Sequence, residues 1–215
     1  MGTLLDTTPG DLTLADAFAR FGPMPLARLR LDPRPGTASV ADVIRIHDEE
    51  GLLCELSDGV LVEKVMGATE SMYAWQLALI LGTFVRQHHL GVMTGEAGML
   101  ELSPGLVRIP DLAFISRARY ATADRTRGAW RVVPDLAVEI LSRSNTSQEM
   151  ERKLADYFQA QVREVWYVDL ERRVLDVYWS VLEMQSFLED AQFSASRVLP
   201  GFVLNLKDVF ADPGA

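Results

Sequence analysis

Asp111, Glu139 and Lys153 are the residues of this chain whose types and spacing could do chemistry together. Two carboxylates supply hard oxygen ligands for a divalent cation, and a nearby ammonium group can orient a water or offset charge that develops during reaction. Hydrolysis of a phosphodiester needs that set. Asp111 lies in Val107-Arg108-Ile109-Pro110-Asp111-Leu112-Ala113-Phe114-Ile115, and Glu139 in Pro134-Asp135-Leu136-Ala137-Val138-Glu139-Ile140-Leu141. Lys153 lies in the helical run that follows.

The elements carrying these groups explain why they should meet. Alternation along Pro134–Leu141 puts Leu136, Val138 and Ile140 on one face and Asp135, Ala137, Glu139 and Leu141 on the other. A glutamate inside such an apolar strand is costly unless something pairs with it. Asp111 has the same character, with Ile109 and Ala113 on its own face. Two half-buried carboxylates on adjacent strands repel each other unless a cation sits between them, and a hard metal ion resolves the conflict. The pattern Thr146-Ser147-Gln148-Glu149 reads as a capping box that starts a helix near Ser147. Met150, Leu154, Tyr157 and Phe158 form its buried stripe. At helical spacing Lys153 falls within roughly 60° of that stripe, whereas Arg152 points nearly opposite.

The rest of the chain supplies a scaffold. Residues 1–36 contain Pro9, Pro23, Pro25, Pro33 and Pro35 and read as an irregular arm, with a short helix around Leu12–Phe21. Residues 37–215 read as the domain. Ser39-Val40-Ala41-Asp42 opens a helix to about Glu50, closed by Gly51. Two strands surround the Asp58-Gly59 turn. A long helix spans about Thr69–His88, and a strand spans Leu106–Ser116. Glu164–Leu170 and Val174–Trp179 form a hairpin, and Phe202–Leu206 a last short strand. This interleaving predicts an α/β (α+β) fold in which one mixed sheet is flanked by helices.

Composition narrows the classes. A chain of 215 residues with 48% apolar and 24% charged residues has the make-up of an ordinary soluble globule. The longest apolar stretch, Leu77–Val85, is too short to span a bilayer, and the N-terminal residues lack the pattern of a secretory signal. A single cysteine, Cys54, excludes an internal disulfide and a multi-cysteine zinc site, and fits a reducing cytoplasm. The net charge of −9 argues against nucleic acid as a partner. Arg117, Arg119, Arg125, Arg127 and Arg131, set against Asp124, restore a locally basic segment. Trp75, Trp130, Trp166 and Trp179 are too widely spread for a base-stacking platform, and most are expected in the core. His88-His89, at a helix C-terminus, suits the macrodipole rather than a ligand role. No nucleophile elbow, HExxH, P-loop or dinucleotide-binding glycine pattern is present.

Pro110-Asp111 followed 28 residues later by Glu139-Ile140-Leu141 resembles the PD-(D/E)XK nuclease superfamily, except that Leu141 stands where that motif has lysine. Several branches move the lysine to the following helix, and Lys153 fits that variant. The chain further resembles the Uma-type endonuclease family through Cys54–Gly59, Met66-Gly67, Leu106–Asp111, Asp135–Ser142, Ser144-Asn145-Thr146, Lys153, Tyr157-Phe158 and Val165–Asp169, in that order. The resemblance runs from about Val40 to Phe210. It implies a mixed sheet flanked by helices, DNA cleavage dependent on Mg2+ (with Mn2+ as a substitute), and a homodimer. On that basis Asp111, Glu139 and the backbone carbonyl of Ile140 would hold the metal, and Lys153 would act on water or the transition state. Glu70 stands where many members carry a histidine nearby, and is a further carboxylate candidate. Glu55, read as an edge-strand residue, and Arg108 are candidates for the surrounding shell. The rival expectation is a catalytically inactive homodimer with the nuclease fold, acting as an interaction or regulatory protein. Three retained groups favour the enzyme; the acidic charge favours the rival.

Overall fold

A computed structural model describes residues 12–22, 25–143 and 145–211. Ser144 of the quoted motifs and much of the proline-bearing arm, including Pro9 and Pro23, lie outside them. In chain order the elements are α1 (Leu14–Phe21), a 3-10 turn (Leu26–Arg28), α2 (Val40–Glu50), β1 (Cys54–Ser57), β2 (Val60–Glu63) and α3 (Ala68–Gln87). Then come β3 (Gly91–Thr94), β4 (Leu100–Ser103), β5 (Leu106–Arg108), β6 (Leu112–Ser116), α4 (Arg117–Ala121), β7 (Trp130–Arg131) and β8 (Leu136–Leu141). The last group is α5 (Ser147–Gln159), β9 (Glu164–Asp169), β10 (Val174–Tyr178), β11 (Met184–Leu188), β12 (Gln192–Phe193), β13 (Leu204–Asn205) and α6 (Leu206–Phe210). No described helix is long and apolar enough to cross a membrane.

Local signals explain many of these elements. Ser39 and Asp42 form the reciprocal capping box of α2, and Gly51 ends it in the left-handed conformation at φ 70°. Asp58 (φ 51°) and Gly59 (φ 70°) turn β1 into β2 with the positive dihedrals a two-residue hairpin requires. A Cβ on Gly59 would also lie 2.4 Å from the carbonyl carbon and oxygen of Gly36. Gly59→Ala is therefore expected to cost about 2–4 kcal/mol, combining left-handed strain with a backbone clash. A urea midpoint equal to that of the parent would refute this.

The fold is mixed α+β. A five-stranded sheet has the order β2-β1-β5-β4-β7, and a six-stranded sheet has the order β11-β10-β9-β8-β6-β3. A small third sheet pairs β12 with β13. In the larger sheet only β8 and β9 are parallel. Leu136, Val138 and Ile140 share a face with Trp166 and pack against α3 and α6, whereas Ala113, Ala137 and Val165 face Met150, Leu154 and Tyr157 of α5. α2 covers the smaller sheet through Val43 and Ile46.

Three features differ from the sequence reading. The strand expected over Leu106–Ser116 is two strands in different sheets, with Ile109-Pro110-Asp111 crossing between them. Pro110 has no N–H to continue a ladder, so pairing breaks there. One mixed sheet thereby becomes two main sheets, with the catalytic candidate Asp111 at the step from one to the other. β3, β4, β7, β11 and β12 were also not foreseen; most are too short or too exposed to carry a clear alternation. The described part of the N-terminal arm docks on the domain: Phe21 and Leu29 are buried with Val60 and Val62, and Leu29 bridges Val62.

Candidate active site

β-Sheet register explains why two residues so far apart in sequence meet. β6 and β8 pair antiparallel with Leu112 opposite Val138 and Ala113 opposite Ala137. Extending that register by one residue sets Asp111 opposite Glu139, on the face that carries Ala113 and Ala137. Directly opposed residues share a face with their Cβ atoms about 5 Å apart. α5 lies against that face and delivers Lys153 and Tyr157 one turn apart. Asp111, Glu139 and Lys153 are 4%, 4% and 5% exposed.

Each acidic group has definite partners. Lys153 Nζ lies 3.2 Å from Oε1 of Glu139 and 3.2 Å from Oε1 of Glu55. Tyr157 donates its hydroxyl to Glu139 Oε1 at 2.5 Å. Asp111 Oδ2 accepts the backbone N–H of Ile140 at 2.6 Å, and Asp111 Oδ1 lies 2.7 Å from Lys64 Nζ. Lys64 also donates to the Ile109 carbonyl at 2.6 Å. Since N–H and C=O of one strand residue point to the same side, the Ile140 carbonyl faces the same side as Asp111. The carboxylate repulsion that the sequence reading resolves with a metal ion is thus already moderated by two ammonium groups.

Behind this cluster stands a second one. Arg108 pairs with Glu55 at 2.9 Å and with Asp156 of α5, while Glu55 Oε1 accepts the Ile109 N–H at 3.0 Å. Asp156 also receives Arg152 Nε at 3.1 Å and the Ser57 hydroxyl at 3.3 Å. Glu55 is not on an edge, because β1 lies between β2 and β5. Burial acts to raise the Glu55 carboxyl, but Lys153, Arg108 and the Ile109 N–H outweigh it and hold the group down at about 2. Glu139 goes the other way: burial first, then the charges of Asp111 and Glu55, raise it despite Lys153. Burial would lower the Lys153 ammonium, yet Glu139 and Glu55 hold it above its ordinary value. Lys153 therefore stays a cation, suited to orient or neutralise rather than to abstract a proton. Tyr157, raised by burial and by Glu139, stays a neutral donor.

A small cavity of about 30 Å³ opens among these groups, lined by Lys64, Glu70, Asp111, Glu139, Ile140 and Lys153 together with Arg28, Ser142 and Asn145. Such a volume admits a water or a small cation. Among the described residues no group of three or more His, Cys, Asp or Glu side chains gathers at metal-ligand range. Two carboxylates with a carbonyl and space for water suit Mg2+, which keeps several waters, and do not suit a closed zinc site. The donor set fits the magnesium class.

Sequence reasoning missed two participants. Lys64 follows the apolar run of β2 and shares the parity of Val60 and Val62, a weak signal that a side chain continues the buried face. Arg28 had no signal: it comes from the arm, is buried, and makes a bidentate pair with Glu149 at 2.8 and 3.1 Å. That pair alters the expected cap of α5, where Thr146 accepts the Glu149 N–H but the Glu149 carboxylate turns to Arg28 instead of completing a box. Glu70, the further carboxylate candidate, is among the residues lining the cavity. The arginine segment is not beside the site. Arg131, on the edge strand β7 farthest from β2, pairs with Glu101; Arg119 binds the Val133, Pro134 and Gln161 carbonyls; Arg125 contacts Tyr120.

Known proteins resemble this chain in family and in fold. The model of the Uma2 family, described as "Putative restriction endonuclease", matches residues 40–207. Comparison with curated proteins finds no match. Among solved structures the chain is similar to a protein from Anabaena variabilis titled "putative nuclease belonging to DUF820", with a TM-score of 0.63 and 16% identity over 74% of this chain and 89% of that one. At that identity the likeness speaks for the fold. The family match contains Glu55, Lys64, Asp111, Glu139 and Lys153, and leaves Arg28 outside. With the elements from α2 through β13 inside the matched span, the chain belongs to the Uma2 family.

Proposed function

We propose that this chain is an endonuclease that hydrolyses DNA phosphodiester bonds in a reaction dependent on Mg2+, with Mn2+ as a substitute. The observation that carries the reading is the convergence of Asp111, Glu139 and Lys153 around one small buried cavity. Asp111, Glu139 and the Ile140 carbonyl would hold the ion. Bound there, Mg2+ would lower the pKa of a coordinated water and offset charge on the scissile phosphate. Lys153 contributes a fixed cation beside that point, and Glu55 positions it from behind. Tyr157 fixes the orientation of Glu139 through its hydroxyl. The family resemblance also points to a homodimer, which light scattering tests.

Supercoiled plasmid incubated with Mg2+ is expected to be nicked, nicking is expected to stop with EDTA, and Lys153→Ala is expected to slow it about a hundred-fold or more. Activity that survives Lys153→Ala would remove that lysine from the chemistry. A second reading has its own support: both carboxylates already carry ammonium partners, and the net charge is −9, as suits a non-catalytic protein of the same fold. No cleavage of plasmid, single strands or RNA, with no calorimetric Mg2+ or Mn2+ binding, would select it.

A further inference from the structure

Trp166 is buried and Trp130 and Trp179 pack against the core, whereas Trp75 is 66% exposed on α3. It stands on the wall of a groove of about 300 Å³ between α3 and the sheet edge. Ser71, Ala74 and Ala78 share its wall, and Met93, Thr94, Gly95 and Glu96 form the other. The floor is Asp111 and Leu112, so Asp111 lines both this groove and the small cavity. The Thr94 hydroxyl oxygen is inaccessible and has no hydrogen-bond partner among the described residues.

We propose that this groove holds one unpaired nucleobase adjacent to the scissile phosphate, stacked on Trp75, so that the protein favours single-stranded or locally opened DNA. The inference rests on the nuclease reading of the Asp111 site and adds a ligand class to it. The charge distribution selects the occupant. Lys64, Lys153 and Arg28 line the small cavity, whereas the groove lining has no lysine or arginine and carries the Glu96 carboxylate. A phosphate is repelled there, and a neutral base is not. An exposed indole beside an apolar wall is a sequence-tolerant stacking surface for such a base. The Glu96 carboxylate can accept a hydrogen bond from an exocyclic amine, which cytosine and adenine possess and thymine lacks. The volume is that of a small-ligand pocket, enough for one base and too small for a duplex.

The test measures binding of fluorescein-labelled oligodeoxynucleotides of about twelve residues in EDTA, alongside plasmid cleavage in Mg2+ by the same preparations. Oligodeoxycytidylate is expected to bind the full chain more tightly than oligodeoxythymidylate or a duplex of equal length. Trp75→Ala is expected to weaken it about ten- to a hundred-fold, with Trp75→Phe restoring most of the affinity. Glu96→Gln is expected to narrow the preference for cytidylate over thymidylate. Because Trp75 is exposed, its truncation leaves the fold intact, which circular dichroism verifies. Absent oligonucleotide binding, or equal affinities for parent and Trp75→Ala, would overturn the subsite even if plasmid cleavage persists. Trp75-dependent binding without cleavage under any metal would instead keep the subsite and remove the nuclease reading. A change from dimer to monomer in Trp75→Ala, with oligonucleotide affinity unchanged, would identify the face as a contact between copies and overturn the proposal.

Discussion

Glu139→Gln is expected to reduce Mg2+-supported cleavage by about a thousand-fold or more while leaving the protein at least as stable as its parent. The substitution keeps size and shape, so the Tyr157 hydroxyl still finds an acceptor at the same place. Lys153 keeps its pair with Glu55 at 3.2 Å. On the proposed reading, what disappears is one of the two carboxylates that would hold the ion, with Glu70 as the further carboxylate lining the cavity. The stability half of the expectation follows from burial: a charged carboxylate 4% exposed beside Asp111 is costly, and an amide removes the cost. Glu139→Ala would blur the result, because it also opens a void and strands the tyrosine hydroxyl. Cleavage assays and calorimetric Mg2+ titration, run with thermal melts, separate the two effects. Retention of cleavage within tenfold would remove Glu139 from the site. Loss of cleavage with a collapsed melting temperature would mean that the residue is mainly structural.

The other large effect is on stability. Arg108→Met is expected to cost about 3–5 kcal/mol, because it leaves Glu55 and Asp156 as buried carboxylates without their shared cation. These residues join β1, β5 and α5, so the loss should also loosen the helix that carries Lys153. Glu55 adds a pH signature. Its carboxyl sits at about 2 in the folded protein against an ordinary 4.5. A depressed carboxyl stabilises the fold at pH values above about 4.5, and that contribution fades as pH falls toward 2. Urea midpoints at pH 7 and pH 3.5 should therefore fall for the parent and change less for Glu55→Gln, whose stability starts lower. Equal pH slopes in the two proteins would show that Glu55 is not held down. A urea midpoint for Arg108→Met close to the parent would show that the network is not an anchor.

Much of the site was legible because its signals are local. Strand alternation put Glu139 opposite to Val138 and Ile140, and helical spacing turned Lys153 toward the sheet, both of which involve neighbours a few residues away. The caps at Ser39 and the Asp58-Gly59 turn are likewise short-range, and they are found where the residues indicate. The strand through Pro110 was harder. A proline in an apolar run reads equally as an edge or a break, and only packing of two sheets decided that Asp111 sits at the crossing. Which tryptophan would be the exposed one was not legible for a related reason: helical periodicity gives the angle of a residue about its helix, not whether a neighbour covers that angle.

From the sequence alone came the elements, the faces of the two carboxylates and the lysine, and an ordered set of motifs. Tertiary structure alone decided the partners. Lys64 meets the carbonyl of Ile109 across 45 residues and Arg28 meets Glu149 across 121, separations over which no period or cap carries information. The arginines near Arg119 and Arg131 turned out to be engaged by carbonyls and Glu101 away from the site. The physical reason is range. Periodicity and caps are set by the chain's own geometry over a few residues, whereas the compensation of a buried charge is settled by whichever opposite charge the folded sheets bring within about 3 Å.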